Sequence, residues 1–243
     1  MLDSISVCNM RQSDALTIEK YVSSRTLMYR AAMGVYLAAA WHGTITIAVG
    51  SGNNGGDGYA LAYILKRRGI ANCVITLSEN RSDDGAYFAD KAAAIGVRIV
   101  PFTSGCFKGS DMIVDCLLGT GFKGAVRQSY GEAIREINES GAFVVSVDIN
   151  SGMDGDTGLA VTAVESDLTV TIGYLKNGLI TPNAEKWIHR LVCTDIGIVL
   201  DREENKICSE PEWNESFADR ENYFLAPAYL DMGVIDATGY ELA

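Results

Sequence analysis

Three short segments combine acids, amides and glycines in a way that suits anion binding or acid–base chemistry. The first runs Gly50-Ser51-Gly52-Asn53-Asn54-Gly55-Gly56-Asp57-Gly58, with five glycines in nine residues. Glycine tolerates positive φ and admits a ligand close to the backbone. A helix beginning near Asp57 would turn its free N–H groups toward a phosphate or another anion. No Gly-Lys-Ser/Thr follows, so this is not a P-loop. The plain alternative is a glycine-rich strand-to-helix turn, which has no need of three polar side chains. The second segment runs from Asp115 to Arg127 through Gly119-Thr120-Gly121-Phe122-Lys123-Gly124-Ala125. It sets a carboxylate before a backbone anion cradle. Lys123 or Arg127 could meet a phosphate there, or simply be solvated. In the third, Asp148-Ile149-Asn150-Ser151-Gly152 follows the apolar run Ala142 to Val147. Burial at the end of that run would raise the pKa of Asp148 and suit it to acid–base work. The structural alternative is a carboxylate that caps the next turn.

Each segment follows an expected strand, which puts all three on one edge of a sheet. Strands are expected at 44–49, 71–77, 97–100, 112–116, 142–147, 168–172 and 191–194. Helices are expected at 59–68, 83–95 and 131–139, with two more inside 13–41, capped by Ser13-Asp14 and by Ser23-Ser24. This alternation predicts parallel β-α-β units with helices on both faces, and ligands at the carboxyl ends of the strands.

The composition excludes other classes. Of 243 residues, 48% are hydrophobic and 21% charged, which fits a globular protein with a sizeable core. Net charge is −11, and residues 201–243 hold 11 acids against 3 bases. No region has the basic excess that nucleic acid requires. No run of 18 apolar residues predicts a membrane span, and Met1 to Asp14 has no signal-peptide core. The six cysteines lack a Cys-x-x-Cys pair and are expected as free thiols in a reducing, cytoplasmic setting. His42 and His189 have no partner at metal-ligand spacing. Residues 201–243 are read as an acidic extension of unassigned role, wrapping back through Tyr223, Phe224, Leu225 and Tyr229.

The segments 50–62, 115–127, 144–158 and 168–179, in this order and spacing, resemble the YjeF N-terminal domain family. So do Met10-Arg11, Asp14, Ile18 and the run Leu27 to Ala32, and the likeness extends to about Leu200. It implies a Rossmann-like three-layer α-β-α domain over residues 1–200 with a mostly parallel sheet. It also implies NAD(P)H-hydrate epimerase activity, interconverting the R and S forms of hydrated NADH and NADPH at C6 of the nicotinamide ring. The substrate would contact Asn53, Asn54, Gly55, Gly56, Asp57, Gly119 to Ala125 and Asp148. One potassium ion would be held by Asn54, Asp115 and Ser151, whose hard oxygen donors suit such a cation. The resemblance makes Asp148 the catalytic group. If protonated it would help the C6 hydroxyl leave as water, and its carboxylate would also stabilise the positive charge that develops on the ring. A dehydratase on a separate chain and a homodimer through residues 13–41 are further expectations.

The chain departs from the family pattern at Asn150, where Pro is usual, at Tyr29, where an acid is common, and at Leu175, where Pro is common. The loss of Pro from the Asp148 loop is expected to cost it rigidity. Two rivals compete with the enzyme reading. A non-catalytic nucleotide- or protein-binding scaffold of the same fold would tend to lose Asp148 or the ion ligands, and this chain retains them. A dinucleotide oxidoreductase would need a Tyr-x-x-x-Lys relay, which is absent from the expected place.

Overall fold

The computed structural model describes residues 3–204, 206–207 and 225–226. Its core is a run of apolar five-residue strands, buried on both faces as parallel sheets require. The elements are β1 (Asp3–Ile5), α1 (Val7–Lys20), α2 (Ser24–Ala38), β2 (Ile45–Val49), α3 (Asn53–Arg67), β3 (Asn72–Thr76), α4 (Asp83–Ala94), β4 (Arg98–Pro101), β5 (Met112–Cys116), α5 (Gln128–Asn138), β6 (Phe143–Val147), β7 (Leu168–Ile172), β8 (Leu175–Lys176), β9 (Leu191–Thr194), β10 (Lys206–Ile207) and β11 (Leu225–Ala226). The main sheet has the order β11-β9-β7-β6-β5-β2-β3-β4, and every neighbouring pair is parallel.

Alternate residues of each strand face opposite layers. Ile45, Ile47 and Val49 join the cluster under α2, α3 and α4, whereas Ala48 joins the cluster under α5. Met112 and Val114 likewise oppose Ile113. The expected three-layer α-β-α architecture is therefore present. The chain leaves β2 toward β3 and β4, then returns to place β5 on the other side of β2. This reversal of winding opens a crevice at the carboxyl ends of β2 and β5, where sheets of this type take their ligands.

Several boundaries differ from the sequence expectation. The helix α1 starts at Val7 with Ser6 as its cap, whose side chain accepts from the Asn9 N–H. Ser13 and Asp14 are interior to it. The helix α3 starts at Asn53, so the glycine-rich string is helical from Asn53 onward. A Cβ on Gly55 would sit 2.2 Å from the Gly50 carbonyl oxygen, and one on Gly58 would sit 2.7 Å from Val49. The glycines let this helix approach the sheet, which offsets the roughly 1 kcal/mol each costs in a helix. The short strands β1 and β8 pair with each other and, through β1, with β10, forming a second sheet.

Residues just beyond 200 adhere to the domain. The Asn9 amide donates to the Arg202 carbonyl at 2.9 Å, and the Ser6 N–H donates to Glu204 at 2.9 Å. Leu225 pairs with Cys193 in β9; Tyr223, Phe224 and Tyr229 lie outside the described residues. Among the described residues Cys8, Cys73, Cys106 and Cys116 are free thiols, and Cys208 lies outside them. No described helix is long and apolar enough to cross a membrane.

Candidate functional site

The crevice is a cavity of about 600 Å³, a size that accommodates a nucleotide-like ligand. All three loops reach it. The start of α3 contributes Asn53, Asn54 and Asp57, the loop after β5 contributes Gly119 to Lys123 and Ala125, and the loop after β6 contributes Asp148. Gly55 and Gly56 lie behind this wall, against the Gly50 backbone and Met28. Asp115 and Ser151 are fully buried beneath it. Gly124, at φ +87°, turns the loop without lining the cavity.

Asp115 ties the loops together from below. Its carboxylate accepts from four donors: the Ser151 hydroxyl (2.5 Å), the Ser151 N–H (2.9 Å), the Ser146 hydroxyl (2.9 Å) and the Leu117 N–H (3.2 Å). Burial still pushes this carboxyl above its ordinary range. Asn54 closes the knot by donating from Nδ2 to the Leu118 carbonyl at 2.9 Å, while the Leu118 N–H donates to the Ser151 hydroxyl at 2.8 Å. Asn54 Oδ1 is buried with no hydrogen-bond donor. An orphaned buried acceptor costs about 1–3 kcal/mol.

Asp148 follows β6 at φ +68°, the one non-glycine residue at positive φ among the described residues. Such strain concentrates at functional sites and must be held by its surroundings. Three contacts hold it. The Asp148 N–H donates to the Val170 carbonyl at 2.8 Å, Oδ1 accepts from the Ile172 N–H at 3.3 Å, and Lys176 Nζ bonds directly to the same oxygen. The turn-capping alternative is not realised. Lys176 is the residue that sequence reading missed. Its side chain is 1% exposed, and its remaining donors reach the Thr171 hydroxyl (3.0 Å) and the Ile172 carbonyl (2.6 Å). A lysine buried to this degree needs a charge partner. The apolar strand immediately before it was the available signal.

Two more carboxyls face Asp148. Asp14 projects from the middle of α1 and Asp57 from the first turns of α3, and both line the cavity. Burial, then the Asp148 charge, raises the Asp14 carboxyl. Burial, then Asp148 and Asp14, raises that of Asp57 well above its ordinary range. Lys176 opposes both shifts. Around one buried ammonium the cavity thus gathers the carboxyls of Asp14, Asp57 and Asp148, and Asp84 also lies on its lining. Met10, Leu27, Met28, Ile172 and Ile196 give it an apolar wall.

Asn150 reverses the expectation of a slack loop. Its buried amide donates to the Val164 carbonyl (2.9 Å), the Ser166 hydroxyl (3.0 Å) and the Trp187 carbonyl (2.8 Å), and accepts from the Thr169 hydroxyl (2.6 Å). The side chain fastens four positions, replacing backbone stiffness with a hydrogen-bonded staple. Asn150→Ala is expected to cost about 2–3 kcal/mol and to lower the melting temperature by roughly 4–12 °C at this chain length, readable in a thermal melt followed by circular dichroism. A melt within about 1 °C of the parent would show that the staple carries no stability.

Fold and site together define a doubly wound α/β protein with a polar, acid-lined cavity at its topological switch point. The chain belongs to the family described as YjeF-related protein N-terminus, whose model matches residues 24–178. It is 33% identical over 200 residues to the NAD(P)H-hydrate epimerase of Limosilactobacillus fermentum, covering 79% of this chain and 96% of that protein. It is 34% identical over 196 residues to the bifunctional NAD(P)H-hydrate repair enzyme Nnr of Coxiella burnetii, spanning 40% of that longer protein and 78% of this chain. In fold it is similar to the crystal structure of yeast ynu0, with a TM-score of 0.66, 21% identity, and coverage of 73% of this chain and 83% of that one.

Proposed function

We propose that this chain is an NAD(P)H-hydrate epimerase, an isomerase that interconverts the R and S hydrates at C6 of the nicotinamide ring. The observation that carries this reading is the placement of a strained, lysine-paired Asp148 at the end of β6, inside a nucleotide-sized cavity walled by Asn53, Asn54, Asp57 and the loop residues 119–123 and 125. Relatives named as NAD(P)H-hydrate epimerases match this chain over most of their own length.

The chemistry follows from the site. The C6 hydroxyl lies beside the ring nitrogen, whose lone pair can expel it to leave an iminium-like ring. Water returning to the opposite face inverts C6. The Asp148 Oδ1 is taken by the Lys176 ammonium and the Ile172 N–H rather than left free to give or take a proton. Of its two expected roles, stabilisation of the cationic ring is therefore the better supported. A preorganised anion aimed at developing charge is worth far more in such a recess than in water. The helix start at Asn53 offers free N–H groups to a phosphate, and Lys123 and Arg127 border the same cavity.

A potassium ion fits the donors present. The orphaned Asn54 Oδ1 asks for a cation, and the Ser151 hydroxyl and Asp115 carboxylate adjoin it through Leu118. When bound, the ion would supply fixed positive charge near the substrate's phosphates and offset the buried charge of Asp115. A dehydratase acting on the S form is the functional partner in this reading. The reading also places the protein in the cytoplasm, with exposed Ile18, Tyr21 and Leu37 available to a homodimer.

The test is conversion of purified R-hydrate to the S form, followed by chromatography or by coupling to an S-specific dehydratase. Rapid conversion is expected, faster in potassium chloride than in lithium chloride. Potassium is also expected to raise the melting temperature of the parent but not of Asn54→Ala. An inert parent would refute the epimerase. An active parent indifferent to the cation would remove potassium alone.

A further inference from the structure

An epimerase that runs in both directions needs two acid–base groups in opposite protonation states. One gives a proton to the departing hydroxyl while the other takes a proton from the incoming water, and the roles exchange in reverse. Asp148 is poorly placed for this duty, because its Oδ1 is occupied by the Lys176 ammonium and the Ile172 N–H. Setting aside Asp84, which is paired with Arg25, the remaining carboxyls on the cavity lining are Asp57 on α3 and Asp14 on α1, which approach from two different helices. We propose that Asp57 and Asp14 share one proton and act as the donor–acceptor pair of the epimerisation, while the Asp148–Lys176 pair steadies the cationic ring. This rests on the epimerase reading and extends it to residues beyond Asp148.

Charge balance supports the assignment. With all three acids ionised, the recess would hold three negative charges against the single buried ammonium of Lys176, which Asp148 already engages. Two like charges in a shared, partly dry site cannot both ionise cheaply, and one proton is retained. The other groups that face Asp57 do not relieve this. From β5 comes the thiol of Cys116, which burial, then the Asp115 and Asp57 charges, push upward. From α4 comes Asp84, which lines the cavity and is paired with Arg25 of α2 at 3.4 Å. Arg11, Lys123 and Arg127 also line the cavity, but Lys176 is the cation that acts to lower Asp57.

The step balances without a co-reactant. The Asp57 carboxylic acid gives its proton to the C6 hydroxyl, and the C6–O bond breaks with its electron pair leaving on water. The ring nitrogen lone pair forms the iminium bond. Water then bonds to the opposite face of C6, the iminium electrons return to nitrogen, and the Asp14 carboxylate takes the surplus proton. Transfer from Asp14 back to Asp57 restores the starting state.

The retained proton gives a pH signature. Both carboxyls are raised in the folded state, so the donor stays loaded to higher pH than an ordinary carboxyl and is lost as pH rises through the raised value. The kcat of the parent is therefore expected to fall on the alkaline side. Asp57→Asn is expected to lower kcat at least hundredfold with KM changed less than threefold, and to abolish the alkaline limb. Asp14→Asn is expected to lower kcat tenfold or more and to move that limb to lower pH, because one neighbouring negative charge is gone. Infrared difference spectra give a readout independent of turnover: the parent at neutral pH should show a protonated-carboxyl band that Asp57→Asn removes. Asp57→Asn should also melt higher than the parent at neutral pH, and equally below the ordinary carboxylate range, since the fold disfavours the ionised form. An active parent whose two variants keep kcat within threefold and retain the limb overturns the pair while leaving the epimerase intact. An inert parent overturns both.

Discussion

Asp148→Asn is expected to lower kcat for hydrate epimerisation by about 10²–10³-fold, with KM little changed. Asparagine preserves the shape of the side chain and tolerates left-handed backbone almost as well as aspartate does. The φ of +68° at this position therefore gives no reason for the loop to collapse. What is lost is the negative charge. The ring is nearly neutral in the bound hydrate and cationic once its hydroxyl has gone. An anion in the recess consequently contributes chiefly to the transition state, and its removal appears in kcat rather than in KM. The substitution has a second consequence. Lys176 would keep the Thr171 hydroxyl and the Ile172 carbonyl but would have no carboxylate beside it. An uncompensated buried charge is destabilising, so the variant should also melt several degrees below the parent. Steady-state kinetics on the R-hydrate and a parallel melt check both parts. Turnover within threefold of the parent would remove Asp148 from the reaction, whatever the melt shows.

The parts of this site that sequence reading reached are those whose chemistry is local. The strands β2, β5, β6 and β7 are short apolar runs with turn residues after them, and their order in the chain implies a parallel sheet with its loops on one edge. The segments 50–58, 115–127 and 148–152 could be placed together on that ground. The start of α3 could not. Glycines at 55, 56 and 58 argue against a helix on propensity, and only contact with Gly50 and Val49 makes them an advantage there. Asp14 looked like a cap because it follows a serine ahead of an apolar run. Its place inside α1 depends on Ser6 capping earlier, and its approach to the cavity depends on how that helix packs. Lys176 and Asp148 are 28 residues apart, on either side of β7. No local pattern couples them. The staple at Asn150 is similar, with partners at 164, 166, 169 and 187. Among the described residues its backbone N–H has no hydrogen-bond acceptor, so the position admits either proline or an amide; the latter requires the surrounding acceptors to be in place.

Lys176→Met yields the other large effect, and the double variant decides what causes it. Methionine fills much of the volume of the lysine stem but donates nothing. Asp148 would then hold its left-handed conformation with the Ile172 N–H as the remaining donor to its carboxylate. Breaking a buried ion pair from one side costs about 3–5 kcal/mol, most of it the burial of the abandoned charge. At this chain length that lowers the melting temperature by roughly 6–20 °C. Because the carboxylate is no longer aimed, kcat should fall by about tenfold or more, a positioning effect of the kind that small misplacements produce. If the ion pair is the cause, Asp148→Asn with Lys176→Met removes both charges and should be more stable than the sum of the single losses implies. A coupling of about 1–3 kcal/mol is expected between two groups in direct contact. Activity should not return with stability, since the anion facing the ring is still missing. Stability losses that simply add would mean that Lys176 supports the fold through Thr171 and Ile172 rather than through Asp148. Recovery of stability with continued loss of turnover would separate the cost of burying this pair from the use the enzyme makes of it.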